Sequence, residues 1–218
     1  MPLQNRVDPY GTIFRSPARG TMMGNRGGVL HNEERMIVRR YKSRRWIACL
    51  LDFRGRWRRV MTPGRYTELF FLDEAVAFAA GHRPCAECRR DRFLAFQNAW
   101  KLRRANRLQA ARAGDIDLVL HRYRIDEKGR KVTYKAPLRS LPNGCFIEID
   151  GAASLVWDDA LLLWTPDGYA KKAPRPRGMT VTVLTPRPIV ECFRHGYQPE
   201  THASRAALAG YGIAMVRP

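Results

Sequence analysis

The stretch from Asp73 to Cys88 leaves this chain little conformational choice. Asp73 can cap a short helix through Ala80, because Asp-Glu-Ala-Val-Ala-Phe-Ala-Ala is built of strong helix formers and Gly81 stands where a left-handed C-terminal residue belongs. His82-Arg83-Pro84 then makes a sharp knuckle, and Cys85-Ala-Glu-Cys88 opens a second helix. That helix is expected to run from Cys85 to about Arg112. Phe93, Phe96, Gln97 and Trp100 share one stripe at three- and four-residue spacing, and Arg89, Arg90, Arg92, Arg103, Arg104 and Arg107 load the remaining surface.

Around this segment the pattern is β-rich. Residues 1–28 mix Gly, Pro and Arg and are expected to form a basic lead-in loop. Short β-prone runs follow at Met36 to Val38, Arg45 to Phe53 and Arg56 to Met61, separated by turns at Lys42-Ser43 and Arg54-Gly55, which predicts a small antiparallel meander. After Gly114, β character returns at Asp117 to Arg124, Lys131 to Ala136, Cys145 to Ile149, Ser154 to Trp157, Ala160 to Trp164 and Met179 to Leu184. Lys171 to Gly178 reads as a basic proline-rich loop, and Pro188 with Gly196 brackets a short helix. The expected fold class is α+β, with a lead-in over residues 1–28, a meander, knuckle and long helix over 29–112, and a β-rich lobe with short C-terminal helices over 115–218.

Charge narrows the partners. The 218 residues carry 39 Lys and Arg against 20 Asp and Glu, a net +19. Residues 1–112 hold 24 of the basic side chains against 9 acidic ones, and the rest of the chain 15 against 11. Such an excess concentrates polyanions and releases their counterions on contact, so nucleic acid leads as partner, with an anionic membrane surface second. No apolar run approaches the roughly 20 residues that span a bilayer. The polar stretch Met1 to Tyr10 lacks the apolar core of a secretory signal, so a cytoplasmic address is expected. The phosphate-facing candidates are Arg39, Arg40, Arg44, Arg45, Arg58, Arg59, Arg89, Arg90, Arg103 and Arg104. The five tryptophans read mainly as core residues, Asp158-Asp159 as a turn, and Cys145 and Cys192 as small buried hydrophobes.

Five cysteines at uneven spacing do not suggest a disulfide scaffold, and in a reducing compartment Cys85-x-x-Cys88 points to metal or redox chemistry. Two thiolates at i and i+3, on a turn opening into a helix, can face one zinc ion, and the helix N-terminus favours their charge. The redox alternative wants a βαβ setting that is absent here. Upstream candidates for the remaining ligands are Cys49 and His31, with His82 adjacent to the knuckle.

The segment Phe70-Phe71-Leu-Asp-Glu-Ala-Val-Ala-Phe-Ala-Ala-Gly81-His82-Arg83-Pro84-Cys85-Ala-Glu-Cys88 resembles the second half of the metal-binding domain of the Ada family of DNA alkylation-repair proteins. The shared pattern is a paired aromatic, an Ala-rich helix, then Ala-Gly-aromatic-Arg-Pro-Cys-x-x-Cys, and with the meander it covers roughly residues 29–92. The resemblance implies zinc at Cys85 and Cys88, the other two ligands coming from earlier in the domain. There the chain departs from the family, since Cys49 stands alone, and the expected site is Cys49, Cys85 and Cys88 with His31, His82 being the alternative. In that family one zinc thiolate takes a methyl group from a DNA phosphotriester.

Three functions compete. The first is a zinc-stabilised, DNA-directed binder acting in repair or regulation. The second is a metal-dependent nuclease of HNH type, with Asn25, Arg26, His31 and Asn32 beside the knuckle and His31 activating water; a zinc-thiolate methyl acceptor at Cys49 is a lesser enzymatic variant. The third is an RNA or protein adaptor using the β-rich lobe, to which only the basic stretch Lys171 to Arg177 points.

Overall fold

A computed structural model describes residues 1–102 and 111–209. Among the described residues, two six-stranded sheets and five helices form a mixed α+β structure. The first sheet contains β1 (Gln4–Val7), β2 (Ile13–Arg15), β3 (Met22–Arg26), β4 (Trp46–Cys49), β5 (Leu69–Phe71) and β6 (Arg83–Pro84), in the order β2-β1-β5-β3-β4-β6. It is mixed, with β1 parallel to β5 and β4 parallel to β6. The second sheet contains β7 (Tyr134–Pro137), β8 (Phe146–Ile149), β9 (Ala152–Trp157), β10 (Ala160–Thr165), β11 (Gly168–Pro174) and β12 (Thr180–Val183). Its order is β11-β10-β9-β8-β12-β7, antiparallel throughout. The helices are α1 (Glu74–Ala79), α2 (Arg90–Leu102), α3 (Ala113–Arg124), α4 (Arg187–Arg194) and α5 (Ser204–Ala209). No helix among the described residues is long and apolar enough to cross a membrane.

Helix α1 joins the two halves. Asp73 accepts the Val76 amide at 2.9 Å as its N-cap, and Gly81 follows at φ +88°, so the turn residues do what their chemistry suggests. All six residues of α1 are buried. Phe78 packs with α2, α3, α4 and one face of the second sheet, whereas Ala75, Val76 and Ala79 pack with the first sheet and with Phe146 and Leu155 of the second. Both cores therefore draw on residues from before and after residue 112, and no core boundary falls there.

The cap carboxyl also ties in distant chain: Asp73 Oδ2 accepts the Tyr169 hydroxyl at 2.7 Å and the His202 amide at 2.9 Å. Its neighbour Glu74 accepts from Arg89 and Arg92, each at 2.6 Å, from the Tyr197 hydroxyl at 2.6 Å and from the Glu200 amide at 2.8 Å. A fully buried carboxylate is tolerable only with such a set of donors.

Four expectations need correction. Residues 1–28 are not a lead-in loop, because β1, β2 and β3 supply half of the first sheet. The glycines that suggested a loop mark close backbone approach: a Cβ on Gly24 would stand 2.2 Å from the Ile47 carbonyl oxygen. Of the expected meander only β4 is a strand, with an isolated bridge from His31 to Ile37. Residues 117–124 lie in α3, not a strand; Asp117 and Arg124 are buried through polar partners, which obscures the helical period set by Ile116 and Leu120. The first half of the Lys171 stretch, through Pro174, is part of strand β11, hydrogen-bonded to β10. The stripe of Phe93, Phe96 and Trp100 is buried along α2 as expected, but the helix spans Arg90–Leu102, and residues 103–110 lie outside the described residues.

Candidate metal centre

Strand pairing brings the cysteines together. Parallel pairing of β4 with β6 sets Ile47 beside Arg83 and Ala48 beside Pro84, so the next residue on each strand, Cys49 and Cys85, falls alongside the other. The Cys85 amide donates to the Ala48 carbonyl at 2.9 Å and locks that register. The turn after Cys85 then returns Cys88 to the same place, since the Arg89 amide bonds the Cys85 carbonyl at 3.2 Å. The three sulfurs lie within 4.8 Å of one another and could hold a metal ion. Cys49 and Cys85 are buried, and Cys88 is half-buried. The neighbouring thiols of Cys49 and Cys88 hold the Cys85 thiol far below its usual range, and those of Cys85 and Cys88 push Cys49 up.

His31 is not part of this group. It is buried, with Nδ1 2.6 Å from the Thr67 hydroxyl oxygen and Nε2 3.3 Å from the Thr62 carbonyl oxygen. The carbonyl can only accept, so Nε2 donates to it. His82 is elsewhere too: its ring packs against Phe71 and Trp46, centroids 4.6 and 5.2 Å away, and accepts from Arg26 Nε at 3.4 Å. Burial, then the charges of Arg26 and Arg124, hold its pKa well below the usual value. Among the described residues the group comprises three cysteines and no histidine.

The arginine candidates divide by burial. Arg39, Arg40, Arg44, Arg45, Arg59 and Arg90 are exposed. Arg58 is half-buried, bonded to Glu68 and over the Tyr66 ring at 3.7 Å. Arg89 is withdrawn from solvent altogether, between Glu74 and Glu200, so it serves the fold rather than a ligand surface. Arg103 and Arg104 lie outside the described residues.

Trp57, expected in the core, is 88% exposed. It stands on a loop turned by Arg54 at φ 56° and Gly55 at φ 63°, with the Arg54 and Arg56 guanidinium carbons 4.9 and 5.3 Å from the Phe53 ring centroid. A cavity of about 210 Å³ is lined by Cys49, Cys85 and Cys88 together with Phe53 and Arg56 of this loop. The signal for this surface is in the sequence, as the alternation Phe53-Arg-Gly-Arg-Trp-Arg-Arg. At the second sheet, β11 is an edge strand whose exposed Lys171 and Lys172 suit the blocking of unwanted strand pairing. No protein-family model, curated protein or solved structure matches the chain.

Proposed function

We propose that the protein is a zinc-stabilised nucleic-acid-binding protein, directed to DNA in the reducing cytoplasm, built on a module similar to the Ada metal-binding domain. The observation that carries this reading is the three-cysteine group standing at the base of an exposed loop of arginines around Trp57. The donor set suits zinc: a tetrahedral ion with Zn–S of about 2.3 Å needs sulfurs about 3.8 Å apart, and three soft thiolates select zinc over harder divalent ions. Cys49, Cys85 and Cys88 would hold it, and a fourth ligand would come from outside this set. Bound zinc would tie β4, β6 and the approach to α2 together, because ligand binding energy in such modules is folding energy. Phosphate contacts then fall to the exposed arginines, with Trp57 available to stack on an unpaired base.

A nuclease with His31 activating water draws no support from a ring that is buried and bonded on both nitrogens. The test is a gel-shift titration of the purified chain on duplex DNA at a series of salt concentrations. Binding whose logarithm falls linearly with log salt is expected, and a steep slope implies several phosphate contacts. Absence of binding at modest salt, or binding indifferent to salt, refutes the reading.

A further inference from the structure

A second feature lies at the other end of β4 from Cys49. A cavity of about 470 Å³ is lined by five cationic side chains, Arg26, Arg40, Arg124, Arg130 and Lys131, together with Trp46. The guanidinium carbons of Arg26 and Arg124 each lie 4.1 Å from the Trp46 ring centroid. Arg26 donates to the Gly11 carbonyl at 2.9 Å and to His82. Arg124 donates to the Gly81 and Arg44 carbonyls at 3.0 and 2.5 Å, and its buried Nε has no partner among the described residues. Lys131 donates to the Ala79 carbonyl at 2.6 Å. Every one of these acceptors is neutral.

The chain treats its other buried cations differently. Arg83 is paired with Asp117 at 2.8 Å and Arg89 with Glu74 at 2.6 Å. Among the described residues, Arg26, Arg124 and Lys131 make no ion pair within 4.0 Å; Asp8 and Asp117 act on them only from further away, and Asp117 is already engaged by Arg83. Burial lowers Arg26 and Arg124 to about 9 and Lys131 to about 7, with neighbouring cations adding to the effect. Carbonyl dipoles satisfy donors but leave the net charge unbalanced, and converging desolvated like charges are destabilising until an anion joins them.

We propose that this cavity binds a phosphate group, through Arg26, Arg40, Arg124 and Lys131. A phosphate offers the negative charge and the several acceptor oxygens that guanidinium forks and an ammonium group match. The remaining wall includes Tyr10, Ile13, Ile37 and Tyr41, which suits the organic part of a phosphate ester. The volume lies in the range of small-molecule sites, about 300–1,000 Å³. The site is independent of the nucleic-acid reading, since a free phosphate ester and a strand end present the same group.

The test is thermal melting and calorimetric titration of the full chain, at fixed ionic strength, with inorganic phosphate, with adenosine monophosphate against adenosine, and with a 5′-phosphorylated oligothymidylate against its 5′-hydroxyl form. In at least one pair the phosphorylated member is expected to bind about tenfold more tightly than its counterpart and to raise the Tm. Arg40→Ala removes an exposed side chain bonded to the Gly129 carbonyl, and Lys131→Gln removes a half-buried charge; each should weaken that binding about fivefold or more. Tightest binding of inorganic phosphate or the mononucleotide identifies a free metabolite as the source, and tightest binding of the oligonucleotide a strand end. The assignment is overturned if phosphorylation makes no difference in either pair, or if the variants bind phosphate as tightly as the wild type. Should Lys131→Gln fail to fold, Arg40→Ala decides alone. The duplex gel shift can succeed or fail under either result.

Discussion

Arg89 donates to Glu74 at 2.6 Å with both side chains withdrawn from solvent, so the residue that follows Cys88 is bonded to the first residue of α1. Breaking a buried pair leaves an uncompensated charge, so Arg89→Ala should destabilise by about 3–5 kcal/mol. Arg56 and Glu87 form an exposed pair at 3.2 Å, and Arg56→Ala should stay within about 1 kcal/mol of wild type. Urea denaturation of the two variants checks the contrast.

Metal content separates the cysteines from the histidines. Elemental analysis should return about one zinc per chain, lost in Cys49→Ser, Cys85→Ser and Cys88→Ser and retained in His31→Ala. Removing a structural metal should lower the Tm by about 10 °C or more in a chain of this size. Chelator treatment of the wild type should reproduce the serine variants, and metal-free protein that melts like the wild type contradicts the proposed role.

The exposed arginines should act through salt-dependent contacts. If Arg44 and Arg45 touch phosphates, the double variant Arg44→Ala/Arg45→Ala should reduce the slope of log affinity against log salt by about 2. Trp57→Ala should weaken single-strand binding by about 1–3 kcal/mol and leave the slope nearly unchanged. Fluorescence anisotropy over a salt series reads both effects.

Gly81 has two reasons to be glycine. Its φ is +88°, and a Cβ there would stand 2.7 Å from Arg124 Cβ. Gly129 has φ +72° with open space around the same position. Gly81→Ala is therefore expected to cost about 2–3 kcal/mol and Gly129→Ala about 1 kcal/mol, measured by thermal melts.

Lys131 gives stability a pH dependence of defined sign. Burial lowers it to about 7 in the fold from 10.5, so between those values the unfolded chain binds a proton that the folded chain has released. Stability should then rise with pH across that window, by at most about 1.4 kcal/mol per unit from this residue. Melts at pH 7.5 and 9.5 should show a larger rise for wild type than for Lys131→Met.

The local features proved readable where a few neighbouring residues decide the geometry. The Asp73 cap, the positive φ of Gly81, the Arg54-Gly55 turn, the Phe93-Phe96-Trp100 stripe and the short helix from Arg187 all follow from propensity and spacing. Misreadings arose where a distant partner decides. Gly24 looks like loop material until Ile47 lies against it, and residues 117–124 look like a strand until Arg83 pairs with Asp117 and the Gly81 carbonyl with Arg124.

The same division runs through the candidate site. Cys85 and Cys88 are neighbours by chain spacing alone, so their partnership was written in the CxxC motif. Their third companion was decided by the parallel register of β4 and β6, which puts Cys49 beside Cys85 and leaves His31 with Thr67. The cation cavity had no local signal whatever, because Arg26 on β3, Arg124 at the end of α3 and Lys131 in the segment before β7 converge only through packing around Trp46 and α1. Short-range chemistry is carried by adjacent residues, whereas register and the burial of charge depend on contacts between segments far apart in the chain.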